Sequence, residues 1–303
     1  MQKHRSELNG LHLLLTYRCT FECDHCFVWS SPRQGGTMTL DQIEQILRQA
    51  RELGTVEWIY YEGGEPFLYY AILVKGLEMA VALGFETGIV SNAYWATSKR
   101  DALEWLRPLA GVIHDLSISD DRYHRSDETD RQIQNAVAAA CALGIPIGTI
   151  AVAQPEAGNA AVSGGRLPRG ESAVMYRGRA AERLVSRASL RPWEEFTECP
   201  HEDLRDPDRV HVDPFGNVHV CQGISLGNLF QMPLREIWEA YDPDAHPITG
   251  PLVAGGPVEL VNRYELPHAE RYADACHLCY RARLSLRAAF PNALAPDQVY
   301  GNP

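Results

Sequence analysis

The sequence predicts an α/β protein, a partial (β/α)6 barrel followed by a smaller α+β region with a β-hairpin and a short helix. Short apolar runs alternate with segments of helical periodicity through the first half of the chain. This alternation stops near Arg191, where two short apolar runs around a turn signal take over. The 8 cysteines fall into groups of three, one and four, and the group of four lies in the C-terminal third.

The first half contains five predicted strands, each followed by turn residues or a helix. The strands are Leu11–Thr16, Val56–Tyr61, Glu86–Val90, Val112–Ser119 and Pro146–Val152, and a sixth is predicted at Ser172–Tyr176. The helices between them begin at Thr39, Phe67, Ser98 and about Asp127. Thr39 and Gln42 have the spacing of a capping box, and Gly54 is a typical helix terminator. Strands that alternate with helices indicate a parallel sheet with right-handed crossovers.

The second half has a different texture. Residues 154–170 are rich in Gly, Pro and Ala and are predicted to form a loop. Val210–Val212 and Val218–Val220 flank the turn Asp213-Pro-Phe-Gly-Asn217, which predicts a hairpin. A short helix is predicted at Pro233–Tyr241, and residues 242–275 are predicted to be irregular. We therefore expect a barrel over residues 1–195 and a smaller domain, with a C-terminal helix, over residues 196–303.

Composition excludes several classes of function. No apolar run reaches the roughly 18 residues that span a bilayer, and the N-terminus lacks the apolar segment of a secretion signal, so we expect a cytoplasmic protein without a membrane partner. The formal charge is −11, and no Lys/Arg cluster with interleaved aromatic residues is present. A nucleic-acid partner is therefore not expected.

The first cysteine group follows the first strand directly. Cys19, Cys23 and Cys26 have the spacing Cys-x₃-Cys-x₂-Cys. Loops after the strands of a barrel carry its active site. Three thiolates at this spacing can bind three irons of a 4Fe–4S cluster and leave the fourth iron open for another ligand. The alternative is a zinc site formed by the same cysteines with His25.

A second motif lies at the end of the second predicted strand, and together the two motifs resemble the radical SAM (S-adenosylmethionine) superfamily. The motif is Glu62-Gly63-Gly64-Glu65-Pro66. Two glycines permit close approach of the backbone to a ligand, and Pro66 suits the first turn of a helix. The resemblance implies that Gly63, Gly64, Glu65 and Pro66 bind the amino group of SAM. It also implies reductive cleavage of SAM to a 5′-deoxyadenosyl radical, which abstracts a hydrogen atom from the substrate.

Further SAM contacts are expected where later strands end. Asn92 ends the third predicted strand, Ser119 ends the fourth, and Arg179 lies in a Gly178-Arg179-Ala180 segment similar to one in related enzymes. A guanidinium suits a carboxylate, so Arg179 is expected to bind the carboxylate of SAM. Each of these segments is equally consistent with an ordinary turn or helix cap.

The second cysteine group supplies a complete four-thiolate site. Its members are Cys199, Cys221, Cys276 and Cys279, and the last two form a Cys-x₂-Cys clip. This region resembles the twitch extension of radical SAM enzymes, a short form of the SPASM extension, because no further cysteine follows Cys279. The resemblance implies an auxiliary 4Fe–4S cluster that exchanges an electron with the substrate. A structural zinc ion is the alternative.

The sequence defines the substrate and the outcome of the reaction less closely than the cofactors. The resemblance implies a natural-product substrate, a small molecule or a peptide, with reduced flavodoxin or ferredoxin as electron donor. Asp121 and His124 follow the fourth strand and are candidate bases, although a solvated loop is an equal alternative. Net oxidation competes with redox-neutral epimerisation or with peptide maturation, and a zinc-binding scaffold without activity is the distant alternative. An epimerase needs a hydrogen donor, and Cys141 is the remaining cysteine. Its position on an apolar helical stripe predicts a buried core residue instead.

Overall fold

A computed structural model describes residues 7–124, 127–157 and 170–302 and shows an α/β architecture around one large sheet. In the described part of the chain, nine strands form this sheet in the order β10-β9-β8-β1-β2-β3-β4-β5-β6. The parallel barrel strands are β1 (Gly10–Thr16), β2 (Trp58–Gly63), β3 (Glu86–Ser91), β4 (Asp115–Ser119), β5 (Ile147–Val152) and β6 (Glu171–Ser172). A separate two-stranded ribbon pairs β7 (Arg191–Pro192) with β11 (Arg271–Tyr272). The α/β fold class and the parallel barrel sheet are confirmed.

Helices cover the outer face of the barrel strands. They are α1 (Leu40–Leu53), α2 (Tyr70–Ala82), α3 (Lys99–Leu106) and α4 (Asp127–Leu143). The predicted capping box at the start of α1 is present, since Thr39 Oγ1 accepts from Gln42 N and Gln42 Oε1 accepts from Thr39 N. Gly54 ends α1 in the left-handed conformation. Alternate β1 residues Leu11, Leu13 and Leu15 are buried in the main hydrophobic core with these helices.

Two predicted elements of the barrel differ from the structure. The fourth strand begins at Asp115, because residues 107–114 first complete the turn after α3. The sixth strand has two residues instead of five, because only Glu171 and Ser172 pair with β5. The predicted loop over residues 154–170 lies largely outside the described residues.

The second half is more regular than the sequence predicts. The prediction that residues 242–275 are irregular is wrong, since α7 covers Thr249–Arg263. Gly255, Gly256 and Pro257 interrupt its apolar periodicity, and Gly256 has φ 66° there, so the helix is kinked into two parts. The other helices are α5 (Ala180–Arg183), α6 (Leu234–Ala240) and α8 (Ala275–Leu286). No helix within the described ranges combines the length and apolarity that a membrane crossing needs.

The predicted hairpin continues the barrel sheet. Its strands are β8 (Arg209–Val212) and β9 (Asn217–Cys221), and β8 pairs in parallel with β1. A third strand, β10 (Ile224–Asn228), extends the hairpin. The sheet therefore runs across the predicted boundary at residue 195, and the division into two domains stays a prediction.

Glycines at the end of β2 allow the chain to press against the loop after β1. A side chain at Gly64 would place its Cβ 2.0 Å from Arg18 O, and one at Gly63 would come 2.4 Å from Thr16 O. The close approach permits two hydrogen bonds, from Gly64 N to Thr16 O (2.6 Å) and from Glu65 N to Arg18 O (2.9 Å). The glycines therefore fix the position of the first cysteine loop.

Gly64→Ala should lower the free energy of unfolding by about 1–3 kcal/mol, because the new methyl group collides with backbone that cannot move aside. Gly148→Ala is the matched control, since a Cβ at Gly148 meets nothing within 4 Å. Urea denaturation of both variants measures the effect. Equal stabilities would contradict the close approach.

Candidate active site

A cavity of about 290 Å³ opens where the parallel strands end. It collects most of the site residues predicted from the sequence. The predicted residues in its lining are Cys19, Cys23, Cys26, Gly63, Gly64, Asn92, Ser119, Asp121 and His124. This agrees with the rule that ligands bind beyond the carboxyl ends of parallel strands. Glu65, Pro66 and Arg179 lie outside the lining.

Two sulfur atoms of the first cysteine group, those of Cys19 and Cys26, accept hydrogen bonds from N–H donors. Phe21 N donates to Cys19 Sγ (3.4 Å), Ser30 N donates to Cys26 Sγ (3.3 Å), and Asn92 Nδ2 lies 3.5 Å from Cys19 Sγ. Burial, followed by the nearby charge of Glu65, raises the pKa of Cys19 to about 12. Thiolates in this environment therefore need a bound cation to form, and N–H donors to sulfur are a feature of iron–sulfur sites.

The thiols of the cysteine groups are not packed as closely as ligands of one bound zinc ion. Among the described residues, no three cysteine thiols lie within 4.8 Å of one another. Four thiolates on one zinc ion would lie about 3.8 Å apart, given the Zn–S bond length.

Glu65 joins the ends of two strands. Its buried carboxylate accepts hydrogen bonds from Phe67 N (3.0 Å), Ser91 Oγ (3.0 Å) and Asn92 N (2.8 Å). Burial raises its pKa to about 7, and these donors lower it in part. Pro66 starts the 3₁₀ turn that precedes α2. Contacts of Glu65 and Pro66 with SAM stay predictions, and the contacts present give Glu65 the role of fixing Asn92 beside the cysteine loop.

Arg179 lies behind the cysteine loop. Its guanidinium donates to Cys23 O and to Ser30 O, both at 2.7 Å, and its backbone N donates to Cys26 O at 2.9 Å. The side chain is buried and stacks near Trp29. A contact with the carboxylate of SAM stays a prediction, whereas the observed contacts support a role in holding the loop.

The two candidate bases, Asp121 and His124, contact each other, and Asp121 also lies close to a third residue, His25. Asp121 Oδ1 lies 2.9 Å from His124 Nδ1, and Asp121 Oδ2 lies 3.6 Å from His25 Nε2. Burial acts to raise the pKa of Asp121, but the hydrogen bond with His124 and the neighbouring His25 outweigh it, so the pKa is lowered. Burial lowers the pKa of His25 to about 4. The site therefore presents an ionised carboxylate that orients an imidazole at the cavity wall.

The second cysteine group surrounds a small cavity of about 20 Å³. Its lining contains all four predicted ligands, namely Cys199, Cys221, Cys276 and Cys279. Burial is the largest cause that raises the pKa of Cys221, of Cys276 and of Cys279, the last to about 12. The four residues thus come together from the segment before β8, which carries Cys199, from the end of β9 and from the start of α8.

Two buried arginines flank this second group. Arg177 Nη1 donates to Cys221 Sγ at 2.9 Å, and Arg283 lies in the same lining. The Nε atoms of both arginines are buried without a hydrogen-bond partner. Buried cations need compensating negative charge. Glu202 Oε1, 3.8 Å from Arg177 Nη2, supplies part of that charge. Thiolates around a cluster would supply more, so the residues present fit an anionic metal–thiolate group.

One prediction about the site is wrong, and two residues of the site were not predicted from the sequence. Cys141 is exposed on α4, so the prediction that it is a buried core residue is wrong. It lies one position past the buried Ala140, which places it outside the apolar stripe. Arg177 and Gln222 were missed as site residues. Each could have been noticed as a neighbour of a predicted site residue, because Arg177 precedes the Gly178-Arg179 segment and Gln222 follows Cys221.

Comparison with known proteins finds a family model that matches part of the chain. The model of the radical SAM superfamily matches residues 13–157. The "Putative peptide biosynthesis protein YydG" of Bacillus subtilis (strain 168) is 30% identical over 122 residues, which are 40% of this chain and 38% of that protein. The "PqqA peptide cyclase" of Streptomyces rochei is 35% identical over 95 residues, 30% of this chain and 25% of that protein. The chain therefore spans well under half the length of these curated relatives.

Solved structures share the fold. BtrN in complex with AdoMet and 2-DOIA has a TM-score of 0.50 at 15% identity, over 78% of this chain and 84% of that chain. Native anSMEcpe with bound AdoMet and Cp18Cys peptide has a TM-score of 0.51 at 12% identity, over 96% of this chain and 99% of that chain. At these identities the likeness shows the fold alone.

Proposed function

We propose that this chain, whose residues 13–157 match the model of the radical SAM superfamily, is a radical SAM enzyme that oxidises a peptide or related natural product by hydrogen abstraction, with the help of a second 4Fe–4S cluster. The observation that carries this proposal is the joint arrangement of Cys19, Cys23 and Cys26 with the ends of β2, β3 and β4 around one cavity. The relatives named for peptide biosynthesis and peptide cyclisation favour a peptide substrate.

The residues present fit the cofactors, and their roles follow from position. Cys19, Cys23 and Cys26 would hold the first cluster, and Gly63, Gly64, Asn92 and Ser119 offer polar groups for SAM along the cavity wall. When bound, SAM and the first cluster supply hydrogen-atom abstraction, and the second cluster supplies one-electron exchange for net oxidation. The apolar part of the wall limits the contact of water with the reacting atoms; it includes Leu14, Phe27, Val28, Val152 and Met175.

Net oxidation also removes a proton, and the Asp121–His124 pair is placed to accept it. Asp121 Oδ1 is hydrogen-bonded to His124 Nδ1 at 2.9 Å, which fixes the ring at the cavity wall. A carboxylate that orients an imidazole is a common arrangement for a general base. Because the pKa of Asp121 is lowered, the carboxylate stays ionised at neutral pH.

Residues 196–303 would act as a twitch domain with Cys199, Cys221, Cys276 and Cys279 as cluster ligands. A short series of side-chain contacts joins the two cysteine groups. Phe27 follows Cys26, the Arg177 guanidinium lies 5.0 Å from the centre of the Phe27 ring, and Arg177 donates to Cys221 Sγ. These contacts support electron exchange between the cavity and the second cluster.

Neither competing function gains support from the described residues. A cysteine-donor epimerase would need Cys141 at the cavity, but Cys141 is exposed on α4 and lies outside the lining. A zinc scaffold would need four thiols about 3.8 Å apart, and no three cysteine thiols of the described residues lie within 4.8 Å of one another.

The function is tested by SAM cleavage. Wild-type protein, reconstituted anaerobically with iron and sulfide and reduced by dithionite in place of flavodoxin or ferredoxin, should form 5′-deoxyadenosine. Cys26→Ala should reduce this by at least about a hundredfold, because the cluster loses one of three protein ligands. Cys141→Ala is the matched control and should cleave SAM as wild type does, since Cys141 is exposed on α4. Iron-loaded wild type that forms no 5′-deoxyadenosine would contradict the proposal.

The base is tested with a substrate peptide. Asp121→Asn should lower product formed per 5′-deoxyadenosine by about ten- to a hundredfold, because the amide neither carries charge nor holds the ring of His124 in one tautomer. The wild-type profile of this ratio should show no carboxylate titration above about pH 4, since the pKa of Asp121 is lowered from 3.8. An unchanged ratio in Asp121→Asn would show that the proton leaves by another route.

Arg177→Met should lower the reduction potential of the second cluster by on the order of tens of mV, because it removes a positive charge and a hydrogen bond to sulfur. Arg205→Met is the control, since Arg205 is exposed and pairs with Asp244. Spectroelectrochemistry with electron paramagnetic resonance would measure both. A potential that moves equally in the two variants would rule out a specific effect of Arg177.

A further inference from the structure

Gln222 carries an unpaired amide on the wall of the active-site cavity. Its side chain is 1% exposed, it lines the cavity, and neither Oε1 nor Nε2 has a hydrogen-bond partner. A buried amide without partners is costly, so such groups in native proteins are satisfied by water or by a ligand. The amide therefore marks a position where a bound molecule can supply one donor and one acceptor.

The main chain that carries Gln222 is fixed by hydrogen bonds. Arg283 Nη1 donates to Gln222 O at 2.8 Å, and Tyr300 Oη donates to Gly223 O at 2.6 Å. Gly223 has φ +85°, and a Cβ there would lie 2.8 Å from Tyr300 Oη, so the turn between β9 and β10 has little room to rearrange. The unpaired amide is thus carried by a rigid turn rather than by a flexible segment.

The surroundings favour one class of ligand. The cavity wall is largely apolar, with Leu14, Phe27, Val28 and Met175 among its members. A molecule with many hydroxyl groups would leave several of them unpaired against this wall. An extended peptide residue instead presents one N–H and one C=O on the same side, and its side chain can contact the apolar wall.

We propose that Gln222 binds the main chain of a peptide substrate, donating from Nε2 to the C=O and accepting at Oε1 from the N–H of one extended residue. This rests on the proposed function and deepens it, since it selects a peptide over a hydroxyl-rich small molecule. It also places the bound residue beside Cys221, the neighbour of Gln222 in sequence and a proposed ligand of the second cluster.

The test uses reconstituted, SAM-loaded protein and peptides of the form Ac-Ala-X-Ala-NH₂, in which X is each common amino acid. Glucosamine serves as the hydroxyl-rich comparison, and calorimetry measures binding. Wild type should bind at least one peptide more tightly than glucosamine. Gln222→Met should weaken the binding of that peptide by about tenfold or more, because methionine keeps the shape of the side chain but can neither donate nor accept these hydrogen bonds.

Thermal melting separates binding from a structural role. Gln222→Met should melt at the same or a higher temperature, because it removes an unpaired buried amide. Gln132→Met is the matched control, since Gln132 is also buried but its Nε2 donates to Tyr94 O (3.1 Å). It should melt at a lower temperature and bind the peptide as wild type does.

Three results would overturn the proposal: no peptide binds wild type, glucosamine binds more tightly than every peptide, or Gln222→Met binds the peptide as wild type does. Formation of 5′-deoxyadenosine by the same wild-type preparation shows separately whether the proposed function holds. A preparation that cleaves SAM but gives any of the three results would remove the Gln222 proposal alone.

Discussion

The constraint on which the site depends is the satisfaction of backbone polar groups in the loop after β1. This loop lacks regular secondary structure, and buried carbonyl groups must find donors elsewhere. Thr16 O and Arg18 O receive N–H groups from the end of β2, and Ser30 O and Cys23 O receive the Arg179 guanidinium. The glycines at the end of β2 and a buried arginine from the far end of the barrel therefore fix where the cysteine sulfurs lie.

Charge balance connects this loop to the second half of the chain. Cys19 and Cys221 are buried, which opposes ionisation of their thiols, while Arg177 and Arg283 are buried cations with unpaired Nε atoms. Glu202 lies 3.8 Å from Arg177 and balances part of this charge, and a metal–thiolate cluster would balance more of it. Arg177 contacts the ring that follows Cys26 and the sulfur of Cys221, so one side chain lies between the two cysteine groups.

Much of this arrangement could be predicted from sequence, because it depends on local signals. Short-range sequence patterns mark the capping box at Thr39, the strand ends at Gly63 and Asn92, and the grouped cysteines. The kinked helix at Thr249–Arg263 could not be recognised, because Gly255, Gly256 and Pro257 disrupt its periodicity. The roles of Arg179 and Gln222 could not be predicted either, since each depends on which distant groups surround the side chain after folding.

The central proposal is that one chain binds two 4Fe–4S clusters, one open to SAM and one fully ligated by cysteine. The most direct measurement is the iron, sulfide and zinc content of anaerobically reconstituted wild type and of Cys276→Ala. The account predicts about eight irons in wild type, about four in Cys276→Ala, and no bound zinc in either. About four irons in wild type, or zinc in the C-terminal site, would contradict it.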